Sequence, residues 1–345
     1  MIVLAWMLAR ALTPIRSFLC RITGTATFCQ KKRMKLLIDT DSGIDDAEAI
    51  LMALAQPDVE VVGITCVHGN TNVHQVTKNV LRTLQAADRL DIPVFRGAEA
   101  SLIGEKVHAS AYHGDDGLGD APDPNAPLES LAKSEHAVQA LIRYANEMKG
   151  ELTLIAIGPL TNLALAIRLD QNFTSNLKHI MIMGGNIEGR GNGESLSAEF
   201  NFQGDPEGAL AVFNDIKCPA SIVTWEVCCQ PYNNPSVDKF LEMVNMPTKK
   251  AHFVKRIRQK QIDEERFQRL GFFRSCDALA MAALLRPDIV EKSEKHYATV
   301  ELNGSWTRGQ MVVDWEGLLK KEPNLNIIMR VNKNAFVELF ESALR

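Results

Sequence analysis

The chain lacks the features that mark membrane proteins, nucleic-acid binders and disulfide-rich secreted domains. None of its apolar runs reaches the roughly eighteen uninterrupted residues that a membrane-spanning helix needs. Positive charge is not in excess. The 345 residues carry a net charge of −4, which leaves no electrostatic footprint for nucleic acid. The seven cysteines, at positions 20, 29, 66, 218, 228, 229 and 276, contain no Cys-x-x-Cys pair. Their odd number, with several in apolar runs, reads as reduced thiols rather than as a disulfide framework. Internal repeats and low-complexity linkers are missing too. What remains is 46% hydrophobic and 23% charged, and long enough for one large α/β domain or two small ones.

Acidic residues are absent from the first 38 positions, which hold seven basic ones: Arg10, Arg16, Arg21, Lys31, Lys32, Arg33 and Lys35. Two readings of this segment stand. One is a mitochondrial transit peptide, with Arg, Ser and Thr interspersed among apolar residues. The other is a plain upstream extension, with Met34 as an alternative start. A secretory signal fits worse, because the apolar Ile2–Leu8 precedes the charges. On either reading residues 1–34 lie outside the fold and the domain runs over 35–345. The expected compartment is the cytoplasm, or the mitochondrion if the segment is a transit peptide.

The first acidic residues then come together. Asp39-Thr40-Asp41-Ser42-Gly43-Ile44-Asp45-Asp46 places four carboxylates in eight residues. They repel one another, so a fold that keeps them together needs something cationic among them. The apolar Leu36-Leu37-Ile38 before them reads as a buried strand, and Ala47–Leu54 after them as an amphipathic helix. The cluster therefore sits at the C-terminal end of a strand, the edge where open α/β sheets bind ligands. Carboxylate oxygens suit Mg²⁺ or Ca²⁺. The plainer alternative is a solvated acidic turn with Asp45 and Asp46 in a helix first turn. An EF-hand fails on spacing: Gly43 comes one place early, and the twelfth residue from Asp39 is Ile50.

Strand-like and helical runs alternate along the rest of the chain. The strands read as Lys35–Ile38, Val59–Val67, Leu152–Ile157, His179–Met183 and Ala220–Trp225. The helices read as Asp45–Ala55, Val73–Asp88, Ser134–Lys149, Leu160–Leu169 and Asp205–Asn214. This order predicts a single α/β domain with a doubly wound, mostly parallel sheet. Gly114–Pro127 reads as an exposed loop and Ser236–Leu270 as a charged helical flap. Polar residues recur where strands end: His68-Gly69-Asn70, Gly158-Pro159-Leu160-Thr161-Asn162 and Gly184-Gly185-Asn186. In a parallel sheet these converge on one pocket with the acidic cluster. Asn162 itself reads as a helix cap.

These motifs, in this order, resemble the inosine–uridine-type nucleoside hydrolases over nearly all of Lys35–Leu344. That family opens with Asp-x-Asp-x-Gly-x-Asp-Asp, here Asp39–Asp46, usually with Pro at the place of Ser42. Gly69-Asn70, His113–Gly119, Gly158–Asn162, Met183–Gly185, Ala198–Asn201 and Asp205-Pro206-Glu207 match its later motifs. The resemblance implies metal-assisted hydrolysis of the N-glycosidic bond of ribonucleosides. It implies a Ca²⁺ held by Asp41, Asp46, the Ile157 carbonyl and Asp277. Asp41 would also be the general base. Asp45 and Asn70 would bind the ribose 2′-hydroxyl, Asn201 would lie near the 3′-hydroxyl, and Asn192, Glu199 and His113 near the 5′ end. Met183 and Phe200 complete the implied substrate site. The family also suggests a homodimer or homotetramer.

The chain departs from the family at Cys276-Asp277, where many members carry His before the last metal-binding Asp. That His is thought to protonate the leaving base. Cys276 is then either a weaker acid or a residue that packs against the base. Phe272, Phe273 and Trp225 read either as base-stacking residues or as core. Three functions remain open: a Ca²⁺-dependent ribonucleoside hydrolase, a nucleoside-binding protein without turnover, and a Mg²⁺-dependent phosphatase with Asp39 as nucleophile. The last lacks the usual Thr or Val, because Gly43 stands there.

Overall fold

The alternation of buried apolar strands and amphipathic helices produces the layers expected of it. A computed structural model describes residues 33–345, apart from 105, 107 and 265–268. Most of the N-terminal segment therefore lies outside the described residues. Strand β1 (Met34–Thr40) leads through helix α1 (Ile44–Leu54) to β2 (Val59–Cys66), then through α2 (Val73–Ala86) to β3 (Val94–Arg96). A short helix α3 (Ser110–His113) and α4 (Ala137–Glu147) precede β4 (Leu152–Ala156). Then come α5 (Thr161–Leu169), β5 (His179–Met183), α6 (Phe200–Gly204), α7 (Pro206–Asp215) and β6 (Ala220–Val223). The C-terminal third adds α8 (Trp225–Cys228), α9 (Val237–Val244), α10 (Lys249–Ile262) and α11 (Cys276–Leu285). Strands β7 (Val290–Val300), β8 (Met311–Asp314) and β9 (Leu325–Val331) and helix α12 (Lys333–Leu344) complete it.

Among the described residues nine strands form one sheet, in the order β3-β2-β1-β4-β5-β6-β9-β7-β8. The strands from β3 to β9 in that order pair in parallel, while β7 runs antiparallel to both β9 and β8. The chain winds outward from β1 through β2 to β3, then restarts on the other side with β4. The order therefore reverses between β1 and β4, where Asp39 faces Ala156 in register. That reversal opens a crevice at the carboxyl ends of the strands.

Successive side chains of β1 alternate between the faces. Leu36 and Ile38 join the apolar layer under α1 and α11, and Leu37 joins the layer under α4 and α5. All three are fully buried, so each contributes on the order of 1.5–3 kcal/mol of apolar burial.

Two expectations change. The loop over 114–127 is not wholly exposed, since Leu118 and Ala121 are buried in the core. The charged region after Ser236, expected as a flap, packs one face on the core. Helices α9 and α10 bury Phe240, Met243, Phe253, Val254 and Ile257, because their apolar residues fall at helical spacing beneath the lysines and arginines. No helix among the described residues is long and apolar enough to cross a membrane.

Candidate active site

The acidic run turns sharply out of β1 into α1, and the turn buries all four carboxylates. Asp39, Asp41 and Asp46 are at most 1% exposed and Asp45 is 8% exposed, which excludes the solvated acidic turn. Asp46 sits in the first turn of α1, where its Oδ2 accepts from the Gly43 backbone N–H at 2.8 Å. Its Oδ1 accepts from Thr40 Oγ1 at 2.5 Å. The carboxylate thereby closes its own helix terminus. Ser42 bridges strand and helix at φ 36°, a left-handed conformation for a non-glycine residue.

The other strand ends close around this turn. After β2, the Asn70 backbone N–H donates to Asp41 Oδ2 at 2.8 Å, and its side-chain amide donates to Asp46 Oδ2 at 3.3 Å. Gly69 permits this approach: a Cβ there would stand 2.1 Å from Asp41 Oδ2. Asn70 does not cap the following helix. That role falls to Asn72, whose Oδ1 accepts from Gln75 N–H at 3.1 Å. After β4 and β5, the Asn201 amide donates to the carbonyls of Ile157 at 3.3 Å and Met183 at 3.2 Å. Asp277 arrives from the start of α11, where the Cys276 N–H donates to Asp45 Oδ2 at 3.2 Å.

Asp45, Asp46 and Asp277 bring carboxylate oxygens within 4.8 Å of one another. Asp41 Oδ1 is buried without a hydrogen-bond partner. Burial, followed by the repulsion of the neighbouring Asp46 carboxylate, pushes Asp41 well above its usual range. Burial and then Asp45 do the same to Asp277, and Asp46 rises to about 6. A cation among these oxygens reverses the sign of the effect. The donors are all hard oxygens, so the set fits a divalent cation of the Ca²⁺ or Mg²⁺ type.

A cleft of about 650 Å³ opens over this cluster. Asp41, Asp45, Asn70, His113, Ile157, Met183, Asn192, Glu199, Phe200, Asn201, Cys276 and Asp277 all border it. Asp46 lies just behind, fully buried. Each residue anticipated from the sequence is thus at the cleft or directly beneath it. Glu199 caps α6: its two oxygens accept from the backbone N–H groups of Gly185, Asn201 and Phe202. Burial nevertheless raises it to about 7. Asn192 Oδ1 accepts from the Phe200 N–H at 2.7 Å. His113 Nδ1 accepts from the Ile44 N–H at 3.1 Å, and burial lowers the imidazole to about 4, so the ring is neutral.

Sequence reasoning did not find Tyr112, Arg258, Gln261 or Arg274, which also border the cleft. The Arg274 guanidinium lies 4.3 Å from the centre of the Trp225 ring. Trp225 and Phe272 face the cleft, whereas Phe273 is core, stacked on Phe240 at 3.8 Å. Asn162 is not a helix cap. Its amide donates to Asp39 Oδ1 and to the Cys66 carbonyl, and its Oδ1 accepts from the Ala98 N–H.

Comparison with known proteins agrees with this geometry. The family model described as inosine-uridine preferring nucleoside hydrolase matches residues 36–338. A probable uridine nucleosidase 1 of Oryza sativa subsp. japonica is 39% identical over 65% of this chain and 68% of that relative. A pyrimidine-specific ribonucleoside hydrolase, RihA, of Klebsiella pneumoniae (strain 342) is 33% identical over 90% of this chain and 98% of its own length. Among solved structures, an inosine-guanosine nucleoside hydrolase superposes with a TM-score of 0.83 at 35% identity, covering 90% of this chain and 98% of that one.

Proposed function

The chain belongs to the inosine-uridine preferring nucleoside hydrolase family and is an N-glycosyl hydrolase; from that premise we propose a Ca²⁺-dependent hydrolase that splits ribonucleosides, purine and/or pyrimidine, into free base and ribose. The observation that carries the reading is the buried set Asp45, Asp46 and Asp277, with carboxylate oxygens within 4.8 Å of one another, beside Asp41, whose Oδ1 is buried without a partner.

Asp41, Asp46, Asp277 and the Ile157 carbonyl are the proposed holders of the cation. When bound, it supplies Lewis acidity and anchors the hydroxyls of the sugar. Asp41 takes the proton of the water that attacks C1′. Its Oδ1, buried without a hydrogen-bond partner, is free to accept that proton. The surrounding carboxylates stabilise the positive charge that develops on the ribose. Asp45 and Asn70 bind the 2′-hydroxyl. Asn201, fixed between two strand-end carbonyls, presents its amide beside the 3′-hydroxyl. Asn192 and His113 border the 5′ end, with Met183 and Phe200 packing on the sugar. Glu199 binds the 5′-hydroxyl from the N-terminus of α6, which it caps.

The names of the relatives include uridine, pyrimidine and inosine-guanosine substrates, which supports a site that grips ribose before base. The test is ribose release from a panel of nucleosides by wild type, by Asp41→Asn, and after chelation. Release that needs both Asp41 and Ca²⁺ supports the reading. 2′-Deoxynucleosides should react poorly, because they leave Asp45 and Asn70 unpaired. Tight nucleoside binding without ribose release, in folded protein with calcium present, would overturn it in favour of a binding protein.

A further inference from the structure

Away from the carboxylates the same cleft carries a second arrangement that the reaction above does not use. Arg258 is 1% exposed yet borders the cleft. Its guanidinium is held in one orientation. Nε and Nη2 donate to the two oxygens of Glu48 at 2.8 and 2.7 Å. Ser275 Oγ donates to the same carboxylate at 2.6 Å, and the Phe273 ring centre lies 4.9 Å from the guanidinium. Such a bidentate pair fixes the plane of the fork. The remaining nitrogen, Nη1, donates to Gln261 Oε1 at 2.5 Å and to the Tyr112 hydroxyl at 3.3 Å. Gln261 Nε2 in turn donates to the Tyr112 carbonyl at 2.9 Å. Tyr112 is thus held at both its backbone and its phenol, and it is 39% exposed on the cleft wall. Because the phenol oxygen accepts from Arg258, its own proton has no acceptor among the described residues.

Resting on the ribonucleoside-hydrolase reading, we propose that Tyr112 is the hydrogen-bond donor to the departing base, with Arg258 as the fixed charge behind it. On cleavage the C1′–N electron pair goes to the base nitrogen, and the hydroxyl of water goes to C1′. The proton of water goes to Asp41 and then through solvent to the released base. The base therefore gathers negative charge as the bond breaks. A phenol that points its proton at a ring nitrogen or carbonyl of the base stabilises that charge, and it does so without reorganisation because its position is already fixed. The guanidinium polarises the O–H bond in the same direction. Glu48 and Ser275 keep Arg258 from turning toward Asp45, where it would neutralise the sugar end of the site.

The test compares two leaving groups on the full-length protein: a ribonucleoside and p-nitrophenyl β-D-ribofuranoside, whose phenolate departs without a donor. Tyr112→Phe should lower kcat/KM on the nucleoside by about 100-fold and on the aryl riboside by less than about threefold. Arg258→Gln should give the same dependence on the leaving group with a smaller loss. A purely structural role would move both substrates alike, so equal losses overturn the proposal, as does an unchanged rate on nucleosides with Tyr112→Phe. If the wild-type protein releases ribose from no nucleoside, the hydrolase reading itself fails and takes this inference with it. Ribose release by wild type combined with the leaving-group split supports both.

Discussion

The Asn162 side-chain amide donates to Asp39 Oδ1 at 2.8 Å across 123 residues of chain. The same amide reaches the Cys66 carbonyl at 2.9 Å, and its oxygen accepts from Ala98 N–H at 2.9 Å. One buried side chain therefore ties together the ends of β1 and β2, the segment after β3 and the start of α5. Asp39, which lies outside the proposed ligand set, is held with the help of this tie, and the strand end that carries Asp41 is held with it.

Asn162→Ala removes the side-chain donor to Asp39 and the Cys66 carbonyl and the acceptor of the Ala98 N–H. The cost should be roughly 3 kcal/mol, from about 1–3 kcal/mol for each unsatisfied group. Urea unfolding of wild type and variant measures it. A loss below about 0.5 kcal/mol would show that the strand ends hold their positions without the amide.

Glu48 and Arg258 are both buried, and removing one partner strands the other charge. Glu48→Gln and Arg258→Met should each cost about 3–5 kcal/mol, while the double variant should cost clearly less than their sum. A double-mutant cycle in urea reads the coupling. Simple additivity would mean that the two side chains act independently.

His68 is 1% exposed, with its Nε2 3.1 Å from Thr161 Oγ1. Thr161 donates onward to Asp205 at 2.6 Å, so its oxygen accepts from a neutral Nε2–H tautomer. Burial lowers the imidazole from 6.5 to about 4. The unfolded chain therefore binds a proton first as pH falls. Stability is full above about pH 6.5, declines down to about pH 4, and has lost roughly 3 kcal/mol from this group there. The stability difference between wild type and His68→Gln should shrink by that amount between pH 7 and pH 4. A difference independent of pH would place the titration elsewhere.

Calcium should stabilise the fold by mass action, by about 2.7 kcal/mol at a hundred times its Kd. Asp277→Asn should abolish most of that gain while leaving the secondary structure unchanged. Thermal unfolding with Ca²⁺, with Mg²⁺ and with chelator distinguishes the ions. An equal shift with Mg²⁺ would argue for a tighter octahedral site than the one proposed.

The five central parallel strands, β2, β1, β4, β5 and β6, were legible because they are short and apolar, whereas the parallel strands β3 and β9 at their flanks were not read. Leu36-Leu37-Ile38 and Leu154-Ile155-Ala156 leave little else to be. The antiparallel end was not legible either. β7 contains Glu291, Lys292, Glu294 and Lys295, most of them exposed at the rim of the sheet. A half-wet strand with so many charges reads as a loop. At the site, the acidic run and the asparagine motifs announced themselves as clusters. Tyr112 and Arg258 did not, because one sits in the four-residue helix α3 just before a run of glycine and aspartate and the other in a helix rich in Lys and Arg. A signal was nevertheless present: Arg258 and Gln261 fall on the same helical stripe as Ala251 and Val254, the buried face of α10. A cation on an apolar stripe asks for a buried partner, and Glu48 supplies it.

The hydrogen bond from Cys276 to Asp45 spans 231 residues, and the Arg258–Glu48 pair spans 210. The centre is therefore closed by contacts among the most distant in the chain. Such contacts demand the largest loop closures before they give anything back. On the ribosome, the acidic turn after β1 emerges early and waits, without its last carboxylate, until α11 has been made. A cation that needs Asp277 cannot bind well before then. Ion uptake would accordingly report the completion of folding, and a chain stopped short of α11 should be left with its acidic residues unneutralised and exposed to quality control.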